Sequence, residues 1–139
     1  MEEVERLIKY YEEISRAYNI LGSYLEKENE IIKSGNLESL AEMLPERAKY
    51  FLQISSIKEE ITKLLQELGD IPFEGETKDR INKIIEKAQN AFERALKGNL
   101  MNITLLEERK KRLRAQFYVV PYETKIIKLY EKTYIRERW

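Results

Sequence analysis

The chain of 139 residues carries 25 Lys+Arg against 25 Asp+Glu, with no His, no Cys, 5 Gly and 3 Pro. That length suits one domain, and a composition 42% apolar and 36% charged is too apolar for a disordered chain and too evenly charged for a membrane protein. Without thiol or imidazole there is no disulfide, thiolate nucleophile, imidazole base or ordinary zinc or haem site, so no metal and no cofactor is expected and an enzyme is disfavoured.

The acidic start, Met1-Glu2-Glu3-Val4-Glu5, is the opposite of a signal peptide's basic opening. No run approaches the roughly 18–20 apolar residues of a membrane span, so no stable membrane insertion is expected and the cytoplasm is the expected location.

Val4, Tyr11, Tyr18, Leu25 and Ile32 fall seven apart, and Leu7, Ile14, Leu21 and Glu28 form the companion row. Such a heptad predicts a long helix over about 3–33 that lays one narrow stripe against its partners. Glu28 is the polar member of that seam; close to a helix end, its head is expected to bend into water rather than become a buried acid of raised pKa. Ser34-Gly35-Asn36 breaks the helix, Gly35 suiting a left-handed turn and Asn36 capping the next element.

A second helix is expected over 37–68, its stripe running Leu37, Leu40, Leu44, Phe51, Ile54, Ile57, Ile61, Leu64, Leu65 and Leu68. Pro45 predicts either a kink or a short first turn that restarts there. Gly69 to Gly75 is the main loop, holding two Gly and a Pro. A third helix is expected over 77–118 on Ile81, Ile84, Ala88, Phe92, Ala95, Leu106 and Phe117, its alanines letting neighbours approach closely. Asn99 and Asn102 lie on this stripe, seven residues after Phe92 and Ala95. Buried amides need partners, so they are expected to form a structural polar seam that fixes helix register. The alternative is that Gly98 loosens the helix and the amides face a partner's backbone.

The fold expected is therefore all-α: an antiparallel bundle of three long helices with coiled-coil character, residues 1–118, plus an amphipathic C-terminal segment, residues 119–139. Pre-proline geometry at Val119-Val120-Pro121 separates the two. The segment is aromatic and basic, with Ile126, Leu129, Tyr130 and Tyr134 on one face, and suits a short fourth helix. Tyr118, Val120, Tyr122, Ile126, Leu129, Tyr130, Tyr134 and Trp139 are the candidate partner-binding residues, since aromatics combine area with a polar tip at interface hot spots. Folding back to cover the bundle is the equal alternative, and a docked tail that yields to a partner combines the two.

Zero net charge conceals a division. Residues 1–70 carry 9 basic and 15 acidic groups, a net of −6, and residues 71–139 carry 16 and 10, a net of +6. The halves should attract, each exposed pair contributing about 0–1 kcal/mol. Arg109-Lys110-Lys111-Arg112-Leu113-Arg114 is dense enough for an anionic surface, but Glu107 and Glu108 precede it and cations complement a helix C-terminus anyway, so no nucleic acid is expected. Bundle di-metal sites use Glu-x-x-His pairs, which a chain without histidine lacks.

With these elements placed, the Glu-rich end of the first helix (Leu25-Glu26-Lys27-Glu28-Asn29-Glu30), then Gly35-Asn36-Leu37-Glu38-Ser39-Leu40, and Asn99-Leu100-Met101-Asn102-Ile103-Thr104-Leu105-Leu106 resemble the FlgN-type flagellar type III export chaperones over roughly residues 4–117. FliT-like filament-cap chaperones share the general plan. The resemblance implies a helical cytoplasmic chaperone that binds the C-terminal helical segment of flagellar hook-associated (junction) proteins, prevents their premature association and delivers them to the export apparatus. Pro45, the basic run and the aromatic tail depart from the family pattern. The competing expectation is a structural coiled-coil adaptor or oligomerisation module without client escort, and the seams leave room for homo-oligomers.

Overall fold

In the computed structural model the described residues are 2–69, 73–115 and 121–132, with the side chains of Leu113, Ala115, Pro121 and Tyr122 outside the description. They form four α-helices and no strand: α1 (Glu2–Ser34), α2 (Leu37–Leu68), α3 (Gly75–Ala115) and α4 (Pro121–Lys132). The chain is an all-α bundle.

Helix α1 is the shared element. Its stripe of Leu7, Ile14, Tyr18, Leu21 and Leu25 is buried, and it packs on both α2 and α3. Among the described residues α2 and α3 make no close backbone approach to each other, so α1 joins them along most of their length. Small residues explain why α3 lies so close to α1. Ala88, Ala91 and Ala95 are buried, and a Cβ added at Gly98 would already touch Leu25 at 3.6 Å. Edge-to-face packing of Tyr18 on Phe92, with ring centroids 5.3 Å apart, fills the middle of that contact.

Chain reversal between α1 and α2 needs one glycine. Gly35 has φ +81, a conformation that costs other residues energy, and a Cβ there would stand 3.0 Å from the Arg109 guanidinium. Asn36 caps α2 by accepting a hydrogen bond from the Ser39 amide at 3.2 Å. Helix α2 runs through Pro45 without interruption, so of the two outcomes expected at the proline the separate first turn does not occur. Buried Leu37 and Leu40 before it and Ile54, Ile61 and Leu64 after it hold one continuous stripe against α1, and Tyr24 donates to the Met43 carbonyl at 2.6 Å. Helix α3 begins at Gly75, two residues ahead of the onset expected at Thr77, because a positive φ of 63 lets the backbone turn in there. Residues 116–118, where α3 was expected to end, lie outside the described residues.

Two separate apolar clusters result. The larger runs through α1, α2 and α3 from Val4 to Leu25. The smaller gathers Ile32, Leu37, Leu40 and Leu106 under Ile126, Ile127 and Tyr130 of α4, which lies across α2 and α3. Pro121 opens α4 at a first-turn position, where its missing N–H costs nothing. Of the opposite charges carried by the two halves, Arg80 with Glu5 (2.7 Å) and Arg94 with Glu26 (3.0 Å) tie α3 to α1, both pairs largely exposed.

The burial pattern sets the scale of core and surface substitutions. Leu21 is 0% exposed and Leu52 70%. Leu21→Ala should lower stability by about 2–5 kcal/mol, whereas Leu52→Ala should stay within about 0.5 kcal/mol. Denaturant melts of the two variants measure both.

Candidate functional site

Each long helix breaks its own apolar stripe at the same level of the bundle. On α1 the row Leu7, Ile14, Leu21 continues into Glu28. On α2 the row Leu40, Ile54, Ile61, Leu68 is interrupted at Arg47. On α3 the row Ala88, Ala95 continues into Asn102, with Asn99 one turn before it. Helical periodicity therefore turns all four polar side chains inward, and Glu28, Arg47, Asn99 and Asn102 are completely buried. They form a polar layer between the two apolar clusters, roofed by Tyr130 of α4, which is also 0% exposed.

The contacts converge on two groups. Arg47 Nη1 donates to Glu28 Oε1 at 2.7 Å, and Nη2 donates to Asn99 Oδ1. The same guanidinium lies 4.0 Å from the centroid of the Tyr130 ring and 5.0 Å from that of Phe51. Tyr130 then donates its hydroxyl proton to Glu28 Oε1 at 3.1 Å and accepts from Asn102 Nδ2 at 3.1 Å. Asn102 is fixed from two further sides, donating to the Leu25 carbonyl at 3.0 Å and accepting from Asn29 Nδ2 at 2.8 Å.

Energetics argue against a purely stabilising purpose. A buried ion pair gives back in Coulomb attraction little more than its desolvation costs, and often less than a hydrophobic replacement would supply. Glu28 Oε2 and Asn99 Nδ2 are buried without a hydrogen-bond partner, each such atom costing about 1–3 kcal/mol. Burial pushes the Glu28 carboxyl above the usual carboxylate range, against the opposing pull of Arg47 and the Tyr130 hydroxyl. Burial likewise pushes the Tyr130 phenol well up, so it stays a hydrogen-bond donor at any physiological pH. What this arrangement does is hold one aromatic ring by its face, through the cation, and by its hydroxyl, through a carboxylate and an amide.

A second tie secures α4. Arg109 Nη2 of α3 meets Glu123 Oε1 at 2.5 Å, both side chains mostly buried. One member of the basic run is thus turned onto α4 beside the α1–α2 turn. Among the described residues no cluster of metal-ligating side chains occurs and no helix is long and apolar enough to cross a membrane.

Of the candidate partner-binding residues, the structure brings Ile126 and Tyr130 inward onto the bundle together with Ile127, which the sequence pattern did not single out. Leu129 faces outward at 41% exposure. Tyr118, Val120, Tyr134, Trp139 and the side chain of Tyr122 lie outside the described residues. Asn99 and Asn102 both lie inside and bond across the bundle. The expectation for Glu28 is corrected: its head does not bend into water but turns inward onto Arg47, because Ile32 and Leu37 continue the core beyond it. Arg47 is the residue that sequence reasoning missed. Its signal was its place seven before Ile54 and seven after Leu40, where a cation on the stripe calls for an acid on the facing one.

A model of one protein family, FlgN (FlgN protein), matches residues 1–119, which include α1, α2 and α3. Neither the curated proteins nor the solved structures contain a match to the chain.

Removing one partner of the pair leaves the other charged and buried. Arg47→Met should therefore cost about 3–5 kcal/mol at neutral pH, and combining it with Glu28→Gln should recover much of the loss. A folded-state pKa raised above the unfolded value contributes stability that is full below the ordinary carboxylate range and is lost as pH rises through the raised value. Glu28→Gln should accordingly flatten that descending part of the stability–pH curve. Urea melts across that range, on the single and double variants, measure both effects.

Proposed function

The chain belongs to the FlgN family of flagellar export chaperones, and from that premise we propose that it holds the C-terminal helical segment of flagellar hook-associated (junction) proteins in the cytoplasm. By occupying that segment it prevents premature association and presents the client to the type III export apparatus. It acts by binding, without catalysis.

The observation that carries this reading is the second apolar cluster. A chaperone for amphipathic helices must offer a substitute apolar surface for a helix, and here such a surface carries a helix. Twelve-residue α4 lies across α2 and α3 with Ile126, Ile127 and Tyr130 buried beneath it. A helix of that length is marginal by itself in water, so it persists through its contacts with the bundle. Helix α4 lies over this cluster, and it is here that we place the client: Tyr118, Val120, Tyr122, Ile126, Leu129, Tyr130, Tyr134 and Trp139 take part either as contacts or as the cover that yields.

Co-expression of the full chain with a hook-associated protein, followed by size-exclusion chromatography, tests this reading. The expected result is a soluble complex that is lost when the client's C-terminal helical segment is deleted. A chain that elutes as its own oligomer and leaves the client behind would instead favour a structural oligomerisation module.

A further inference from the structure

Helix α4 engages the bundle through more than apolar area. Among the described side chains of α4, Glu123 pairs with Arg109, Ile126 and Ile127 fill the smaller apolar cluster, Tyr130 stacks on Arg47, and Glu131 shares a hydrogen bond with Glu107 at the margin. On a helix the first four of these positions share one face, since they are separated by three, one and three residues. The receiving groups are equally specific. Arg109 offers a charge, Ile32, Leu40 and Leu106 offer an apolar floor, and Glu28 with Asn102 reads the phenol hydroxyl.

Resting on the chaperone reading above, we infer that this cleft is a receptor for an amphipathic helix bearing an acidic residue, two adjacent aliphatic residues and a tyrosine at the spacing of Glu123, Ile126, Ile127 and Tyr130, so that the partner helix repeats the contacts of α4 and takes its place. The polar layer makes the exchange feasible. When α4 leaves, Arg47 and Glu28 regain water, which offsets part of the burial lost with Ile126, Ile127 and Tyr130. A helix with the right pattern then restores the covered state. Tyrosine is preferred to phenylalanine because a ring without a hydroxyl takes away one of the two donors to Glu28 Oε1 and the second contact of Asn102 Nδ2.

The probe is a fluorescein-labelled peptide of residues 121–132, titrated by anisotropy onto two full-length chains, the unaltered one and an Ile126→Glu/Ile127→Glu variant whose own α4 no longer docks. A full-length Tyr130→Ala chain serves as a second open receiver should the double variant lose helicity by circular dichroism. The peptide should bind the open chain at least about tenfold more tightly than the unaltered one, and a Tyr130→Phe peptide should bind about tenfold more weakly than its parent. A Glu123→Gln peptide should also weaken, with a smaller dependence on salt. Equal binding to open and unaltered chains, no binding to either open chain, or equal binding of the tyrosine and phenylalanine peptides would overturn the inference. The C-terminal segment of a hook-associated protein, titrated in parallel, separates this claim from the one it rests on. If that segment binds but the α4 peptide neither binds nor competes, the cleft inference fails and the chaperone reading stands. If the peptide binds and the segment does not, the reading fails and the receptor stands.

Discussion

A single buried ion pair organises this molecule. Glu28 of α1 and Arg47 of α2 meet at 2.7 Å with neither side chain reaching solvent, and every helix contributes to satisfying them. Helix α3 supplies Asn99 to the guanidinium, and α4 supplies the Tyr130 ring to its face and the hydroxyl to the carboxylate. A charge pair in a bundle interior tolerates few registers: a shift of one turn on α1 would leave Arg47 facing Leu25 or Ile32 in place of Glu28. The layer therefore fixes how the helices align, in the way that a buried polar residue sets register in coiled coils.

That constraint also divides the interior. Below the layer, α1 serves as a common spine whose stripe joins α2 and α3, with alanines on α3 setting the close α1–α3 spacing. Above it, the three long helices end in a smaller apolar cluster that they do not cover themselves, and α4 covers it. A fully apolar interior would bind α4 more firmly. Putting charge and amides directly under it weakens the cover while making it specific, a trade consistent with the helix exchange we propose.

Much of this was legible in the sequence because helical periodicity is a strong signal. The heptad from Val4 to Ile32, the Ser34-Gly35-Asn36 break and the stripe from Leu37 to Leu68 each correspond to an observed helix or turn. Asn99 and Asn102 were conspicuous as amides on an apolar row. What the rows could not show was pairing between them. Glu28 read as a near-terminal carboxylate with access to water, since nothing local indicates that Ile32 and Leu37 extend the core past it, and Arg47 lay hidden among the ordinary charges of α2 until Glu28 was seen to face it. Ile127 was overlooked for a related reason: its burial depends on how α4 is rotated on the bundle, which is set by tertiary contacts that no local pattern reveals, such as Tyr130 with Glu28, 102 positions apart. Pro45 was ambiguous because its local cost competes with a stripe that continues on both sides.

The central claim is that α4 is a separable cover over the polar layer, held more weakly than the bundle beneath it. Native-state amide hydrogen exchange on the full chain tests it most directly. The account predicts that the amides of α4 exchange through a local opening of much lower free energy than those of α1 around Leu21, and that Tyr130→Phe lowers the opening free energy of α4 while leaving α1 unchanged. Equal protection of α4 and α1, lost together in a single cooperative opening, would contradict it.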